Sequence, residues 1–316
     1  MRRPIRGCDV PSTPVIASLS IPEPSNATPS ARGTRLSQAA RALWQDRAAR
    51  IALVCLAALV LAGVFAPLLS PYHPDVVLGI NTLNLRPPST AHWLGTDPAS
   101  RDVLSRMLYG TRVSLAIALL SALLASCLGL MYGGVAGYAG GALDSVMMRT
   151  IDALLSIPRV LLLITVLALW GNVSVFSLVL LLGVTGWFEV SRIARAEAMA
   201  ARTREYVTAA RALGAGHVQT FVRHVLPHLV GPVLVAATIS VGQVVILEAG
   251  LSYLGYGVPQ PAPTWGSIIR DGRETLSTAW WLTLFPGIAL VGTALAVNTL
   301  ADRLRAELNP RQLPAP

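Results

Sequence analysis

The chain has 316 residues, 53% of them hydrophobic and only 13% charged, a balance too apolar for an ordinary soluble domain and expected of a protein that lives in a bilayer. The net charge of +9 rests on 25 arginines and no lysine, which excludes a nucleotide-binding loop of the G-x-x-x-x-G-K-[ST] kind for want of its lysine. Three cysteines, Cys8, Cys55 and Cys127, have neither metal-ligand spacing nor a paired framework, and read as small core or lipid-facing residues.

Residues 1–50 are rich in Pro, Ser, Ala and Arg, with little apolar periodicity before Leu36, and are expected to be largely disordered. Their eight arginines suit a solvated cytoplasmic tail that orients the first span better than a nucleic-acid or lipid-binding arm. Residues 51–69 form a first transmembrane helix without a charge, closed by Pro67 and Pro71, and too long for the apolar region of a cleaved signal. Residues 70–111 turn polar and proline-rich, an extracytoplasmic segment. Within it, Asp97, Arg101, Asp102 and Arg106 read as alternating charge on a short surface helix rather than a catalytic carboxylate pair.

Residues 112–300 are expected to hold five further transmembrane helices. The second span, 113–136, carries Gly129, Gly133 and Gly134 near its end, with Gly137 just beyond, a row that permits close helix contact. The third, about 153–170, is kinked by Pro158 and contains Arg159. A charge at mid-bilayer costs roughly 2.5–3.5 kcal/mol, so Arg159 is expected to snorkel to the cytoplasmic face rather than line a wet path. The fourth covers 173–188, the fifth 229–247 with Glu248 at its end, and the sixth 279–299, before a basic cytoplasmic tail over 301–316.

Between the fourth and fifth spans lies 203–227, TREYVTAARALGAGHVQTFVRHVLP, read as two short helices joined by a break. Tyr206, Ala210 and Leu213 recur at helical spacing in the first. Val218, Phe221, Val222, Val225 and Leu226 form the apolar stripe of the second. Gly214 and Gly216 supply the break, and Pro227 is expected to stop the second helix. A short apolar stripe outside the spans must be buried against headgroups or another protein, and a partner dock is the reading that fits. His217, His224 and His228 are spaced poorly for a metal and read as surface or partner contacts.

This segment resembles the EAA loop, the signature of the permeases of binding-protein-dependent ABC importers, through Ala209-Ala210, Gly214 and Leu226-Pro227. Thr208 stands where that family most often has glutamate. The run AARALGA…FVRHVLP is most similar to the dipeptide, oligopeptide and nickel branch, and to its second, C-type subunit. Three more passages resemble that branch: HWLGTDPASRDVLSR at 92–106, with Ser100 for the usual glycine; GYAGGALDSVMMRTIDALLSIP at 137–158; and LSYLGYGVPQPAPTWG at 251–266. The resemblance implies an all-α, polytopic protein of six transmembrane helices with the type I ABC importer permease fold. It implies that Tyr206, Thr208, Ala209, Ala210, Gly214, Ala215, Phe221, His224, Leu226 and Pro227 form a coupling loop seated on an ATPase. It also implies the partners: a homologous second permease, two ABC ATPase subunits, an extracytoplasmic substrate-binding protein and the lipid bilayer, with no nucleic acid. No cofactor or metal is expected on this chain, the ATP being held by partner subunits.

Orientation is read separately from charge. With both termini and the loops 139–150 and 189–228 inside, the inner segments hold eighteen arginines and the outer loops five, which supports six spans with both ends cytoplasmic; the resemblance implies that the membrane is the bacterial inner membrane. The expected function is that of a permease forming half of a translocation path for peptides, nickel or other small solutes. A self-contained secondary transporter or channel is the alternative; it more often pairs ionisable groups at mid-bilayer, and spans one, two, five and six show none. A membrane enzyme lacks a nucleophile, base or metal set that survives spacing; Ser252, for example, has Leu254 where a G-x-S-x-G elbow needs glycine.

Overall fold

The computed structural model describes residues 44–308 apart from 80, 81 and 172. Most of the predicted tail 1–50, including Cys8, and residues 309–316 lie outside the described residues. The described chain is helical, its one pairing of extended backbone being an isolated bridge between Thr96 and Asp102. In order, α1 is Arg47–Val64, α2 Ala66–Leu69, α3 Val103–Ala139, α4 Gly141–Leu155, α5 Arg159–Trp170, α6 Val175–Arg202, α7 Glu205–Ala212, α8 His217–Thr220, α9 Leu226–Leu254, α10 Trp265–Asp271 and α11 Trp281–Leu308.

Five helical stretches are long and apolar enough to cross a membrane: α1, α3, α6, the run His217–Leu254, and α11. A sixth crossing is available only if α4 and α5, bent by 74° at their junction, count as one. The third span expected over 153–170 is therefore not a single kinked helix: Pro158, which cannot donate to the ladder, separates two helices. The bundle is apolar outside as well as inside. Leu119, Leu120, Leu123, Leu161, Leu169 and Leu295 are exposed, as lipid-facing side chains must be.

α3 and α6 make the most extensive helix pair, and glycine sets their separation. A Cβ placed on Gly129 would lie 2.6 Å from Val190 Cβ, and one on Gly133 or Gly137 would collide with the carbonyl oxygen of Ser191 or Arg195. Without side chains at those positions the backbones approach closely and dispersion contacts accumulate. α9 packs on α3 and α11, and α1 lies along α11 and touches α3, so the first span joins the bundle. At one end Asp46 caps α1 by accepting from Ala49 N and pairs with Arg303 at 2.8 Å.

The helix ends differ from expectation in informative ways. α6 runs to Arg202 and α11 to Leu308, well past the predicted spans, so much of the expected polar flank is a continuation of the span helices. Replacing Gly133 with alanine should wedge α3 from α6 and cost about 1–3 kcal/mol or more. Thermal unfolding of the detergent-solubilised protein checks this; an unshifted midpoint would refute the close contact.

Candidate functional site: a helical elbow at one end of the bundle

The elbow begins where α6 ends. Arg204 starts α7, with Glu205 in the first turn and Arg211 in the last, charges that suit the helix dipole. Its end is a Schellman motif: Ala215 N donates to Ala210 O at 3.0 Å and Gly214 N to Arg211 O at 2.9 Å. Gly214 sits at φ +89°, a backbone conformation that side chains strain, and nothing lies near where its Cβ would be. The pattern Ala210-x-x-x-Gly214-Ala215 is thus the residue-level recipe for this stop.

The second helix does not stop at Pro227. After α8, residues Phe221–Val225 form a π turn, with Leu226 N donating to Phe221 O, and α9 carries on through Pro227 to Leu254. The widened turn relieves two defects of a proline within a helix, its missing N–H and its clash with the carbonyl four residues back. The expectation that Pro227 terminates the helix is corrected: it lies within a 38-residue run, His217–Leu254.

One face of the elbow is anchored and the other bare. Val207, Thr220, Phe221 and Val225 are buried against α6 and α9, with Ala194, Ala198 and Ala201 in the same cluster. Tyr138, at the end of α3, is the keystone that sequence reasoning missed. Its ring lies 5.4 Å from that of Phe221 and 6.5 Å from that of His217, and the Arg211 guanidinium sits 5.1 Å over it. Tyr206 stacks near His228, 5.3 Å between ring centres, and Thr208 donates to Arg204 O from an exposed position. Ala209 and Gly214 are exposed, while Ala210, Ala215, His224, Leu226 and Pro227 are half-buried. Leu213 and Val218 are 89% and 77% exposed, and Val222 is exposed beside them.

α4 is braced beside the elbow by two ion pairs. Asp144 takes a two-pronged bond from Arg195, at 2.5 and 2.7 Å, and Asp152 pairs with Arg192. The aspartates of the 137–158 passage therefore hold α4 to α6.

The opposite end of the bundle corrects a second expectation. Asp97, Arg101, Asp102 and Arg106 are not on a surface helix but are buried, and α3 starts only after Asp102. Asp97, with 0% exposure, accepts from Arg101 Nε at 2.7 Å and Arg106 Nη1 at 2.6 Å, and Arg106 reaches Asp271 of α10 at 2.8 Å. Asp102 caps α3 through Ser105 N and holds His92 Nδ1 at 3.0 Å. Ser100 keeps the turn despite its side chain, at φ +60°. Next to this cluster Glu248, also fully buried, does not end a span but lies inside α9, accepting from Ser252 Oγ at 2.6 Å and Ser114 Oγ at 3.2 Å. Ser252 also meets Thr264 Oγ1 at 3.2 Å, and Trp265 N donates to Ser114 Oγ at 3.3 Å. The α9 interior thus does carry a charge-bearing side chain, one satisfied by hydroxyls. Among the described residues no group of three His, Cys, Asp or Glu side chains is arranged to hold a metal.

Arg159 is likewise not snorkelling. It turns into the bundle, Nη2 donating to Leu182 O at 2.9 Å and Nε to Thr185 Oγ1 at 3.3 Å.

An elbow fused to a polytopic bundle, with bare apolar tips and several passages shared with one transporter branch, defines a transport permease. The chain belongs to the family described as binding-protein-dependent transport system inner membrane component, whose profile matches residues 125–313. A second profile, the N-terminal TM domain of oligopeptide transport permease C, matches residues 34–88. The dipeptide transport system permease protein DppC of Bacillus subtilis is 38% identical over 272 residues, covering 86% of this chain and 84% of that protein. The oligopeptide transport system permease protein OppC of the same organism is 32% identical over 286 residues, 88% of this chain and 92% of that protein. The protein is accordingly an all-α, multi-pass inner-membrane permease of the type I ABC importer fold and the C-type subunit class, a transport component rather than a member of an enzyme class.

Two substitutions probe these ends separately. Asp97→Ala leaves the buried Arg101 and Arg106 to share Asp271 alone, and should cost about 3 kcal/mol, the low end for breaking a buried pair, read as loss of folded protein on heating in detergent. Gly214→Val should cost about 1–2 kcal/mol of local elbow stability with the bundle unaffected, read as faster protease cleavage at 203–216 and an unshifted global midpoint.

Proposed function

We propose that this chain imports peptides as half of an ATP-driven translocation path, and that the elbow 203–227 is its seat on an ATPase subunit. The observation that carries this reading is the contrast on the elbow: Val207, Phe221 and Val225 fix it to the bundle, while Leu213, Val218 and Val222 stand bare at the bundle's end. Exposed large apolar residues on a rigid, polar-flanked element suit a protein partner. The names of the relatives, which transport dipeptides and oligopeptides, support peptide as the cargo class.

The remaining assignments belong to the same proposal. Arginine bias supports a cytoplasmic elbow and cytoplasmic termini. A homologous permease completes the path, two ATPase subunits hold the nucleotide that this lysine-free chain has no Walker loop to bind, and an extracytoplasmic binding protein delivers the cargo.

Mechanistically, the run His217–Leu254 acts as a rod of about 57 Å. One end is the elbow; the other carries Glu248 and Ser252, hydrogen-bonded towards Thr264 and the start of α10. α10 in turn holds Arg106 through Asp271. Approach of the ATPases on binding ATP would push the elbow, and the rod would pass that displacement to the far end, where the 92–106 segment and α10 close the path.

The test is retention of partners. The tagged chain, purified from native membrane, should bring a second permease and a P-loop ATPase, and Leu213→Asp should cut ATPase retention and peptide uptake by tenfold or more. Full retention by Leu213→Asp, or labelling of Leu213→Cys only from outside the cell, would sink the reading.

A further inference from the structure

The junction of α4 and α5 holds a charge that the reading above does not use. Arg159 and Glu189 line a cleft of about 120 Å³ with Pro158, Leu162, Thr185 and Gly186, several times the space one water needs. Two rulers set its depth. Arg159 opens the 12-residue α5, about 16 Å from Trp170, and Thr185 lies about 15 Å along α6 from Val175, each near half of a hydrocarbon layer of about 30 Å.

Two features at that depth need a wet or protein-lined space. The backbone between Leu155 and Arg159 is not helical, and such backbone survives in a membrane only where it is buried in protein or lines a water-filled cavity. The guanidinium is the other. It is seated, not stray: Gly186 leaves room for it, a Cβ there lying 3.1 Å from Nη2, while Leu182 O and Thr185 Oγ1 take Nη2 and Nε. Among the described residues no hydrogen bond is formed by Nη1, and no carboxylate comes within 4 Å of the fork. Glu189 lines the same cleft. The first amides of α5 add the positive end of a helix at the same point, since its ladder begins only with Leu162 N donating to Pro158 O.

A planar fork with spare donors, at a half-helix start near the bilayer midplane, matches a carboxylate. We infer that the cleft at Arg159 is a waypoint in the translocation path that receives the C-terminal carboxylate of a short peptide, with the peptide's ammonium end towards Glu189. This rests on the peptide reading of the cargo. Arg159 is held in place by α6, so the site is present before cargo arrives, and the carboxylate would replace water on the unused face of the fork.

The test uses the whole importer, this chain with its native partners in sealed proteoliposomes, and a pool of di- and tripeptides ending in photoleucine, as free acids and as amides. Light should attach the free acids to residues 154–162 or 185–189, at least tenfold more than the amides. Arg159→Gln, checked for assembly by co-purification, should lose this attachment and lower uptake turnover about tenfold, whereas Arg159→Lys should retain turnover within about threefold. Attachment elsewhere, or equal attachment of acids and amides, with peptide uptake intact, overturns the inference and leaves the peptide reading standing. Neither attachment nor uptake of any peptide in the pool overturns both. Should Arg159→Gln fail to assemble, the acid-to-amide ratio on the unaltered chain decides.

Discussion

The helix that starts at His217 passes through Pro227, and the rest of the molecule follows from that continuity. A proline at this point ought to break an α-helix, because its ring meets the carbonyl four residues back and its nitrogen has no hydrogen to give. The π turn at Phe221–Val225 opens the spiral enough to admit it, so the elbow and the span become one body. A hinge at Pro227 would let the elbow move without the span. A continuous helix gives the elbow leverage over everything α9 touches.

Two supports keep that body in place, and they work by different physics. The α3–α6 seam is a matter of closeness: glycines at 129, 133 and 137 remove the side chains that would hold the helices apart. The far end depends on buried charge that is fully paired, with Asp97 between Arg101 and Arg106 and Asp271 beyond. Such a cluster adds little net stability, because desolvation offsets much of the attraction, yet it penalises any arrangement that separates the partners. It therefore suits a closure that must have one shape when shut. Tyr138 joins the two supports to the elbow, since it ends α3 and carries Phe221, His217 and Arg211 around its ring.

Much of this was legible in the sequence, and the failures have physical causes. Apolar runs announced the long helices, and the row Gly129, Gly133, Gly134 and Gly137 announced a close contact. Gly214 announced the elbow's break because a left-handed helix stop strongly prefers glycine, whereas Gly216, read with it, is the extended residue that starts α8, at φ −64°. Pro227 misled because a π turn has no sequence signature of its own. The charges at 97–106 misled because alternation along a short stretch looks the same whether it faces water or a carboxylate 165 residues away, as Arg106 and Asp271 do. Nearness to a predicted span end suggests an interface for Arg159, but α4 and α5 bend by 74° at their junction and the side chain bonds to α6 instead. Pairings such as Arg195 with Asp144, and the hydroxyl shell of Glu248, depend on tertiary contacts that spacing does not encode.

The central claim is that elbow and span are one rod, and a distance measurement within the chain tests it most directly. Spin labels on Val218→Cys and Val230→Cys, one on each side of Pro227, should give one narrow distance distribution in the assembled importer, unchanged between the nucleotide-free and ATP-bound states. A distribution that broadens or shifts on ATP binding would place a hinge at Pro227 and contradict the account.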